Sequence, residues 1–228
     1  MIGAMAPRAI LLDALGTLVE LLPPAPALRE LLRERHGVEV SQSDAQQALR
    51  AEMAHYRDNC VHAADAEGLA ALRGRCVAIL AEQLGPAVRN IDPSELLQTL
   101  LESLQFRAFA EVPDALARWR AAGLRLVVAS NWDISLHDVL ERTRLRDLLD
   151  GVATSAEVGA SKPAPLLFEE ALALAGVGPS DALHVGDSLS ADVEGARNAG
   201  IEAVWLNRSD EPVPGGVRAI ASLDQLRP

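Results

Sequence analysis

The chain has 228 residues, of which 49% are hydrophobic and 23% are charged, so it can bury a sizeable core as one large domain or as a core with a smaller domain. Its 32 acidic and 21 basic residues give a formal net charge of -11, which argues against binding of nucleic-acid phosphates. The sequence contains no apolar run near the ~18 residues of a membrane span and no signal-like N-terminus, so we expect a cytoplasmic protein without a membrane partner.

The first predicted element is a strand over residues 9–12, an apolar run that ends at Asp13. A run of this kind is typical of a strand buried on both faces, and a carboxylate at its carboxyl end lies where open α/β sheets place their ligands. Asp13 is therefore a candidate nucleophile, although an aspartate just before Gly16-Thr17 is also ordinary turn chemistry. A second acid two residues later could protonate a leaving oxygen, but that position is Leu15, which cannot transfer a proton.

Residues 21–105 are predicted to form an all-helical insert. The proline-rich segment 22–26 is incompatible with a central strand and stiffens the exit from the first element. Four helices are predicted after it, at residues 27–36, 43–58, 65–84 and 93–104. Cys60 and Cys76 lack the spacing of a metal site and need not pair, so we interpret them as small buried residues in a reducing compartment.

Helices and strands alternate in the rest of the chain. After a helix over residues 113–122, strands are predicted at 124–129, 152–154, 182–185, 202–206 and near 217–220, with helices at 134–142, 163–175 and 190–199 between them. Such alternation implies right-handed crossovers and a parallel sheet. The predicted fold class is α/β, a doubly wound parallel sheet formed by residues 1–20 and 106–228, with the helical insert between them.

Three later segments place polar residues where a strand ends or a helix begins. One strand ends at Ser130-Asn131, and Lys162, the sole lysine, stands just before the predicted helix 163–175. Another strand runs into Gly186-Asp187-Ser188, with Asp192 following at helical spacing. Each has a simpler interpretation when taken alone: helix capping for Ser130 or Asn131, a solvated surface cation for Lys162, and a first-turn helix acid for Asp192.

Three residues near these segments are given structural roles. His184 interrupts a buried strand and is interpreted as a hydrogen-bonded core histidine. Trp132 is assigned to packing, and Asp133 is the better candidate for capping the helix that begins near residue 134.

The four segments occur in the order Asp-Ala-Leu-Gly-Thr, Ser-Asn, Lys-Pro and Gly-Asp-Ser-x-x-x-Asp, and together they resemble the haloacid dehalogenase-like hydrolase superfamily. The resemblance covers the whole predicted core. It implies a Rossmann-type α/β core and, as in subfamily I, a helical cap at residues 21–105 that closes over the active site. The loss of the second aspartate at Leu15, combined with an acidic fourth motif, resembles the poorly characterised REG-2-like group.

The same resemblance implies a role for each polar residue. Asp13 would be the nucleophile that forms an aspartyl-phosphate. Mg²⁺ would be held by Asp13, the backbone carbonyl of Leu15 and Asp187, with Asp192 as a further ligand or a neighbouring carboxylate. Lys162 would be catalytic and would also bind phosphate. The set of phosphate-binding and substrate-orienting residues is Gly16, Thr17, Ser130, Asn131 and Lys162.

Three functions stay open at this point. The first is a Mg²⁺-dependent phosphatase for a small phosphorylated molecule, slow and selective for activated esters because Leu15 cannot protonate a leaving oxygen. The second is a non-catalytic or regulatory protein that binds a phosphorylated ligand through a degenerate site. The third is a metal-free hydrolase of the 2-haloacid dehalogenase type, which the acids near Asp13 disfavour because they would repel a carboxylate substrate. The sequence does not indicate the substrate or the oligomeric state.

Overall fold

A computed structural model describes residues 6–227 of the chain. Two compact units are formed, one by Met1–Glu20 with Ala108–Pro228 and the other by Leu21–Arg107. The predicted boundaries were at 20/21 and 105/106, so the second observed boundary lies slightly later in the chain. Residues 1–5 and 228, which the prediction assigned to the core, lie outside the described residues.

The secondary structure alternates between strand and helix outside residues 21–107. The strands among the described residues are β1 (Ala9–Leu12), β2 (Val19–Leu21), β3 (Phe106–Ala108), β4 (Arg125–Ser130), β5 (Gly151–Thr154), β6 (Ala182–Gly186), β7 (Glu202–Leu206) and β8 (Arg218–Ile220). The α-helices are α1 (Pro24–His36), α2 (Gln42–Asn59), α3 (Ala66–Leu84), α4 (Pro93–Ser103), α5 (Val112–Ala121), α6 (Leu136–Arg142), α7 (Ser155–Val158), α8 (Pro165–Ala175) and α9 (Gly195–Asn198). A π-helical turn, Leu189–Glu194, precedes α9. Short 3₁₀ turns occur at Cys60–His62, Gly85–Ala87, Arg146–Leu148, Pro179–Asp181 and Leu223–Gln225.

Six strands form one sheet in the order β5-β4-β1-β6-β7-β8, and every neighbouring pair is parallel. Strand β1 lies inside the sheet, where Ile10 is paired with Leu126 of β4 and with Leu183 of β6. The chain therefore builds the sheet outward on one side of β1 and then returns to build the other side. This confirms the predicted fold class and places the carboxyl ends of β4, β1 and β6 side by side at the switch in strand order.

Burial explains why β1 is continuously apolar instead of alternating. All four of its residues are fully buried, and a parallel strand covered on both faces has no side that water can reach. One part of the core packs Leu11, Val127 and Trp205 of the sheet against Phe168 of α8. The sheet is thus a rigid support for residues that follow its strands.

The unit Leu21–Arg107 contains α1 to α4 around a separate apolar core that includes Leu28, Leu49, Leu80 and Leu100. Helix α1 begins at Pro24, earlier than the predicted residue 27, because proline is well tolerated in the first helical turn, where backbone N–H groups need no intrahelical partner. None of the helices among residues 6–227 combines the length and the apolar character of a membrane span.

Two further local differences from the predicted elements concern the chain near the units' boundary and near residue 190. Strands β2 and β3, which pair as a separate two-stranded sheet, were not predicted because each has only three residues and too short a pattern to show alternation. The predicted helix over 190–199 is instead the π-helical turn followed by α9. Single π turns are frequent at functional sites, and this one contains Asp192.

Candidate active site

Residues that follow three adjacent strands meet at the carboxyl edge of the sheet. Asp13 comes directly after β1, Ser130 is the last residue of β4, and Asp187 comes directly after β6. The Ser130 hydroxyl donates to Asp13 Oδ1 at 3.1 Å, and the Asp13 N–H donates to the Val185 carbonyl at 3.0 Å. The candidate nucleophile is therefore fixed by the strands on either side of its own.

Lys162 joins this group although no strand carries it. Its side chain is buried, and the ammonium donates to Asp13 Oδ1 and to Asp192 Oδ1, each at 2.6 Å. Burial lowers the pKa of Lys162, but the two carboxylates outweigh that effect and hold the pKa above its ordinary value. Lys162 is therefore a permanent positive charge between two acids.

The amide of Asn131 holds the backbone of Lys162 on both sides. Asn131 Nδ2 donates to the Lys162 carbonyl at 3.0 Å, and the Lys162 N–H donates to Asn131 Oδ1 at 2.7 Å. In this geometry the Asn131 amide orients the backbone of Lys162, and the expected orientation of a substrate by Asn131 stays a prediction. Asn131 thus acts on the site through the lysine.

Asp187 lies against the turn that follows Asp13. Gly16 has a left-handed φ of 82°, and a Cβ at this position would overlap the Asp187 carboxylate. Crowding by protein atoms, together with the charges of Asp13 and Asp192, raises the pKa of Asp187 to about 7. The absent side chain of Gly16 is what allows this carboxylate to approach the turn.

Three carboxylates of the site form a cluster that fits a hard cation. Oxygens of Asp13, Asp187 and Asp192 lie within 4.8 Å of one another. Burial raises the pKa of Asp13 even though Lys162 opposes the shift. Asp13 and Asp187 are therefore harder to ionise than usual, and the charge of a divalent cation beside them would lower both pKa values again. A set of donors made only of oxygens suits Mg²⁺.

Asp192 is the most fully hydrogen-bonded of the three acids. Its Oδ1 accepts from Lys162 and lies 2.9 Å from His184 Nε2, and its Oδ2 accepts from the Ser188 N–H at 2.9 Å. Burial would raise the pKa of Asp192, but Lys162 and His184 overcome it and hold the pKa below its usual range. Of its two predicted roles, this environment favours a neighbouring carboxylate that supports Lys162, and direct metal ligation stays a prediction.

His184 has the predicted core position and also a contact that the sequence did not indicate. The ring is fully buried, meets Phe168 edge to face, and hydrogen-bonds Asp192. The available signal was a polar residue inside an otherwise apolar strand, two positions before Gly186. Trp132 is buried, as predicted for packing. Asp133 accepts from the Ser135 N–H at 2.6 Å in the turn before α6. Because α6 begins at Leu136 with Ser135 at its N-cap position, the prediction that Asp133 caps a helix beginning near residue 134 is wrong.

The turn after Asp13 uses two of its predicted phosphate donors internally. The Gly16 N–H donates to Val19 O at 2.8 Å, and the Thr17 N–H donates to Ala14 O at 3.3 Å. These two backbone amides therefore already have acceptors within the turn, and phosphate binding by Gly16 and Thr17 stays a prediction. The Leu15 side chain is 45% exposed and brings no proton donor to the turn.

Known proteins are similar to this chain over different parts of its length. A family model described as haloacid dehalogenase-like hydrolase matches residues 7–200. Haloacid dehalogenase-like hydrolase domain-containing protein 3 of Bos taurus is 43% identical over 99 residues, 43% of this chain and 39% of the relative. A phosphoserine phosphatase of Thermus thermophilus is 38% identical over 112 residues, 49% of this chain and 45% of the relative. The chain spans less than half the length of both relatives.

Solved structures extend the similarity to nearly the whole chain. The crystal structure of a 2-haloacid dehalogenase from Pseudomonas syringae matches with a TM-score of 0.66 and 26% sequence identity, over 97% of this chain and 96% of that one. A phosphatase and a dehalogenase thus both occur among the similar proteins, so the fold does not separate the two reactions.

Proposed function

The chain belongs to the haloacid dehalogenase-like hydrolase family, and from this premise we propose that it hydrolyses small phosphate monoesters, with Asp13 as nucleophile and Mg²⁺ as cofactor. One observation carries the proposal: the oxygens of Asp13, Asp187 and Asp192 lie within 4.8 Å of one another, with the Lys162 ammonium on Asp13. The partial match to a phosphoserine phosphatase supports this reaction class.

In the proposed reaction, an oxygen of Asp13 forms a bond to phosphorus while the bond from phosphorus to the ester oxygen breaks. The leaving group departs with that electron pair, and an aspartyl-phosphate remains. Water then attacks the aspartyl-phosphate, which releases inorganic phosphate and restores the carboxylate. Two displacements of this kind replace one more difficult step.

The residues around Asp13 orient it and balance charge. Lys162 and Ser130 both donate to the same oxygen, Asp13 Oδ1, which leaves Oδ2 for attack on phosphorus. The Lys162 charge also stabilises the negative phosphoryl oxygens in the transition state. Mg²⁺, held by Asp13, Asp187 and the Leu15 carbonyl, would supply further neutralisation of the phosphoryl charge.

Leu15 determines which esters the site can cleave. A positioned general acid contributes about 10² to 10⁴ in rate, or roughly 3 to 5 kcal/mol of the barrier. Leu15 cannot supply this contribution, so an alkoxide leaving group departs slowly. A phenolate or carboxylate leaving group needs no proton, and we therefore propose a slow phosphatase that prefers aryl and acyl phosphates.

A comparison of two substrates tests the proposed function. We expect Mg²⁺-dependent turnover of p-nitrophenyl phosphate that exceeds turnover of a sugar phosphate by about 10² or more. Asp13→Asn should abolish both activities, and Asp138→Asn, which changes an exposed acid on α6, should preserve them. Equal and fast turnover of both substrates, or full activity of Asp13→Asn, would contradict the proposal.

A metal-free dehalogenase is another candidate, favoured by the structural match to a 2-haloacid dehalogenase. Halide leaves without a proton, so Leu15 is no obstacle to this reaction. The position of Asp187 beside Asp13 opposes it, because a metal-free acid pair repels a carboxylate substrate. Chloride release from 2-chloropropionate in the presence of a chelator would reverse this order.

A degenerate site that only binds a phosphorylated ligand is the third candidate, favoured by the missing acid at Leu15. Such a protein would bind beryllofluoride or phosphate with Mg²⁺ and show no turnover of any ester. Measurable Asp13-dependent turnover would exclude it.

A further inference from the structure

Arg208 donates two hydrogen bonds to the turn that follows the candidate nucleophile. It lies just beyond the end of β7. Its Nε donates to the Gly16 carbonyl at 3.0 Å, and its Nη2 donates to the Thr17 carbonyl at 2.9 Å. A planar guanidinium can bind two successive carbonyls in this way, whereas a lysine presents a single point charge.

The guanidinium of Arg208 is itself held on its other sides. Nη1 forms an ion pair with Glu111 Oε1 at 2.7 Å, and the two side chains are only 20% and 15% exposed. The guanidinium carbon also lies 3.7 Å from the centre of the Phe109 ring, within cation–π distance. These contacts fix the orientation of Arg208 before any ligand binds.

The turn that Arg208 binds also lies against Asp187. Gly16 has its carbonyl on Arg208 while its Cα side lies against the Asp187 carboxylate. The Leu15 carbonyl, a proposed Mg²⁺ ligand, belongs to the planar peptide group that ends at the Gly16 nitrogen. A displacement of Gly16 would therefore move this carbonyl relative to Asp187.

We propose that Arg208 is a positioning residue that sets the separation between the turn at residues 15–17 and Asp187, and thereby the affinity of the site for a divalent cation. Arg208 does not contact the reacting atoms and acts through Gly16 and Thr17. The inference rests on the metal site of the proposed function. Partners that orient a metal site from outside the ligand set typically change metal affinity by about 10- to 100-fold.

The test compares cation binding in three forms of the whole chain. Mn²⁺ binding to wild type, Arg208→Gln and Arg218→Gln is measured by electron paramagnetic resonance. Arg218 on β8 pairs with Glu202 at 3.1 Å and is about half exposed, so its substitution makes the same charge change on the neighbouring strand. We expect Arg208→Gln to weaken Mn²⁺ binding by about tenfold or more and Arg218→Gln to bind as wild type does.

A kinetic measurement separates positioning from general damage to the fold. With p-nitrophenyl phosphate, Arg208→Gln should raise the Mg²⁺ concentration needed for half-maximal rate, and kcat at saturating Mg²⁺ should return close to the wild-type value. A fall in kcat that saturating Mg²⁺ does not restore, with unchanged Mn²⁺ affinity, would overturn the inference.

Glu111→Gln provides a second variant in case Arg208→Gln does not fold. It removes the charge that orients Arg208 and leaves the turn itself intact, so Mn²⁺ affinity should fall in the same direction by a smaller factor. Unchanged Mn²⁺ affinity in a folded Arg208→Gln, or in Glu111→Gln where Arg208→Gln does not fold, alongside a wild type that binds Mn²⁺, would overturn this inference alone. A wild type that binds no Mn²⁺ would overturn the metal site of the proposed function and this inference with it.

Discussion

Leu15 lies on the turn after Asp13, the proposed nucleophile, with 45% of its surface exposed, so a polar side chain at this position would not have to be buried. Ser130 and Lys162 both donate hydrogen bonds to Asp13, and these three residues carry the proposed phosphoryl transfer. Under that proposal, the group missing from the site is an acid at position 15 that could protonate a leaving oxygen. Adding the acid tests whether the remaining groups are poised for that reaction.

We expect Leu15→Asp to raise turnover of alkyl phosphates by about 10² to 10⁴, because the carboxyl group would protonate the departing alkoxide. Turnover of p-nitrophenyl phosphate should change much less. Leu15→Asn is the matched control, since its amide has a similar size and polarity and is not an acid. Steady-state kinetics on a sugar phosphate checks this, and equal gains in both variants would argue against proton transfer as the cause.

The raised pKa of Asp187 predicts how pH affects the metal-free protein. Its pKa is about 7 in the folded protein and near 3.8 in the unfolded chain, so the folded state binds more protons between these values. Because stability falls with rising pH wherever the folded state holds the extra proton, Asp187 should progressively destabilise the metal-free protein from about pH 4 to pH 7. Thermal denaturation between pH 4 and pH 7 in the presence of a chelator should show a smaller fall in melting temperature for Asp187→Asn than for wild type. An equal fall in both proteins would contradict the raised pKa of Asp187.

At the scale of secondary-structure elements, two glycines let the ends of β1 and β6 bring carboxylates close to the backbone. A Cβ at Gly16 would overlap Asp187, and a Cβ at Gly186 would overlap Asp192. Asp192 cannot easily retreat, because Lys162, His184 and the Ser188 N–H hold its oxygens. Glycine at positions 16 and 186 is thus required for the acidic cluster to form.

We expect Gly186→Ala to destabilise the protein and to abolish activity, because the new methyl group displaces a carboxylate that is held by three donors. The cost should resemble other overpacking substitutions, about 1–3 kcal/mol in the free energy of unfolding. Gly74→Ala is the matched control. Gly74 lies within α3 with nothing near its added methyl group, and alanine there should stabilise the protein by about 0.5–1 kcal/mol. Urea denaturation measures both changes in the free energy of unfolding. A Gly186→Ala variant as stable as Gly74→Ala would refute the close approach of Asp192 to Gly186.

At the scale of the whole molecule, the formal net charge of -11 coexists with three acids within 4.8 Å of one another at one edge of the sheet. The single lysine is buried between two of them. This concentration of negative charge predicts that the folded protein binds a divalent cation.

Mg²⁺ should therefore raise the melting temperature, because a ligand that binds only the folded state stabilises it by about 2.7 kcal/mol at 100 times its Kd. A chelator should reverse the rise. The rise in melting temperature with Mg²⁺ should be smaller for Asp187→Asn. KCl at an equal ionic strength should leave the melting temperature of wild type nearly unchanged. Differential scanning calorimetry provides the measurement, and an equal rise with KCl would indicate screening of surface charge in place of a specific site.

Local patterns in the sequence determined most of the fold. The apolar run at residues 9–12 predicted a central strand, and burial on both faces is the reason that its pattern is continuous. The strand at 202–206 has the predicted ends, and the alternation of helix and strand was sufficient for the parallel, doubly wound class. The positions of Asp13, Ser130 and Asp187 at strand ends also predicted that they lie at one edge of the sheet, because the carboxyl ends of parallel strands lie on the same side.

Other features depend on contacts that no local pattern encodes. Arg208 binds the carbonyl of Gly16 across 192 positions of sequence, and Lys162 reaches Asp13 across 149. Asp187 lies against the turn at Gly16, whereas Asp192 hydrogen-bonds Lys162 and His184. This difference between the two acids depends on how the segments around them pack together. Most strands and helices and the kinds of reactive groups could be predicted from residue periodicity and chemistry alone. Which donor meets which carboxylate could not, because packing sets the distances between residues far apart in the chain.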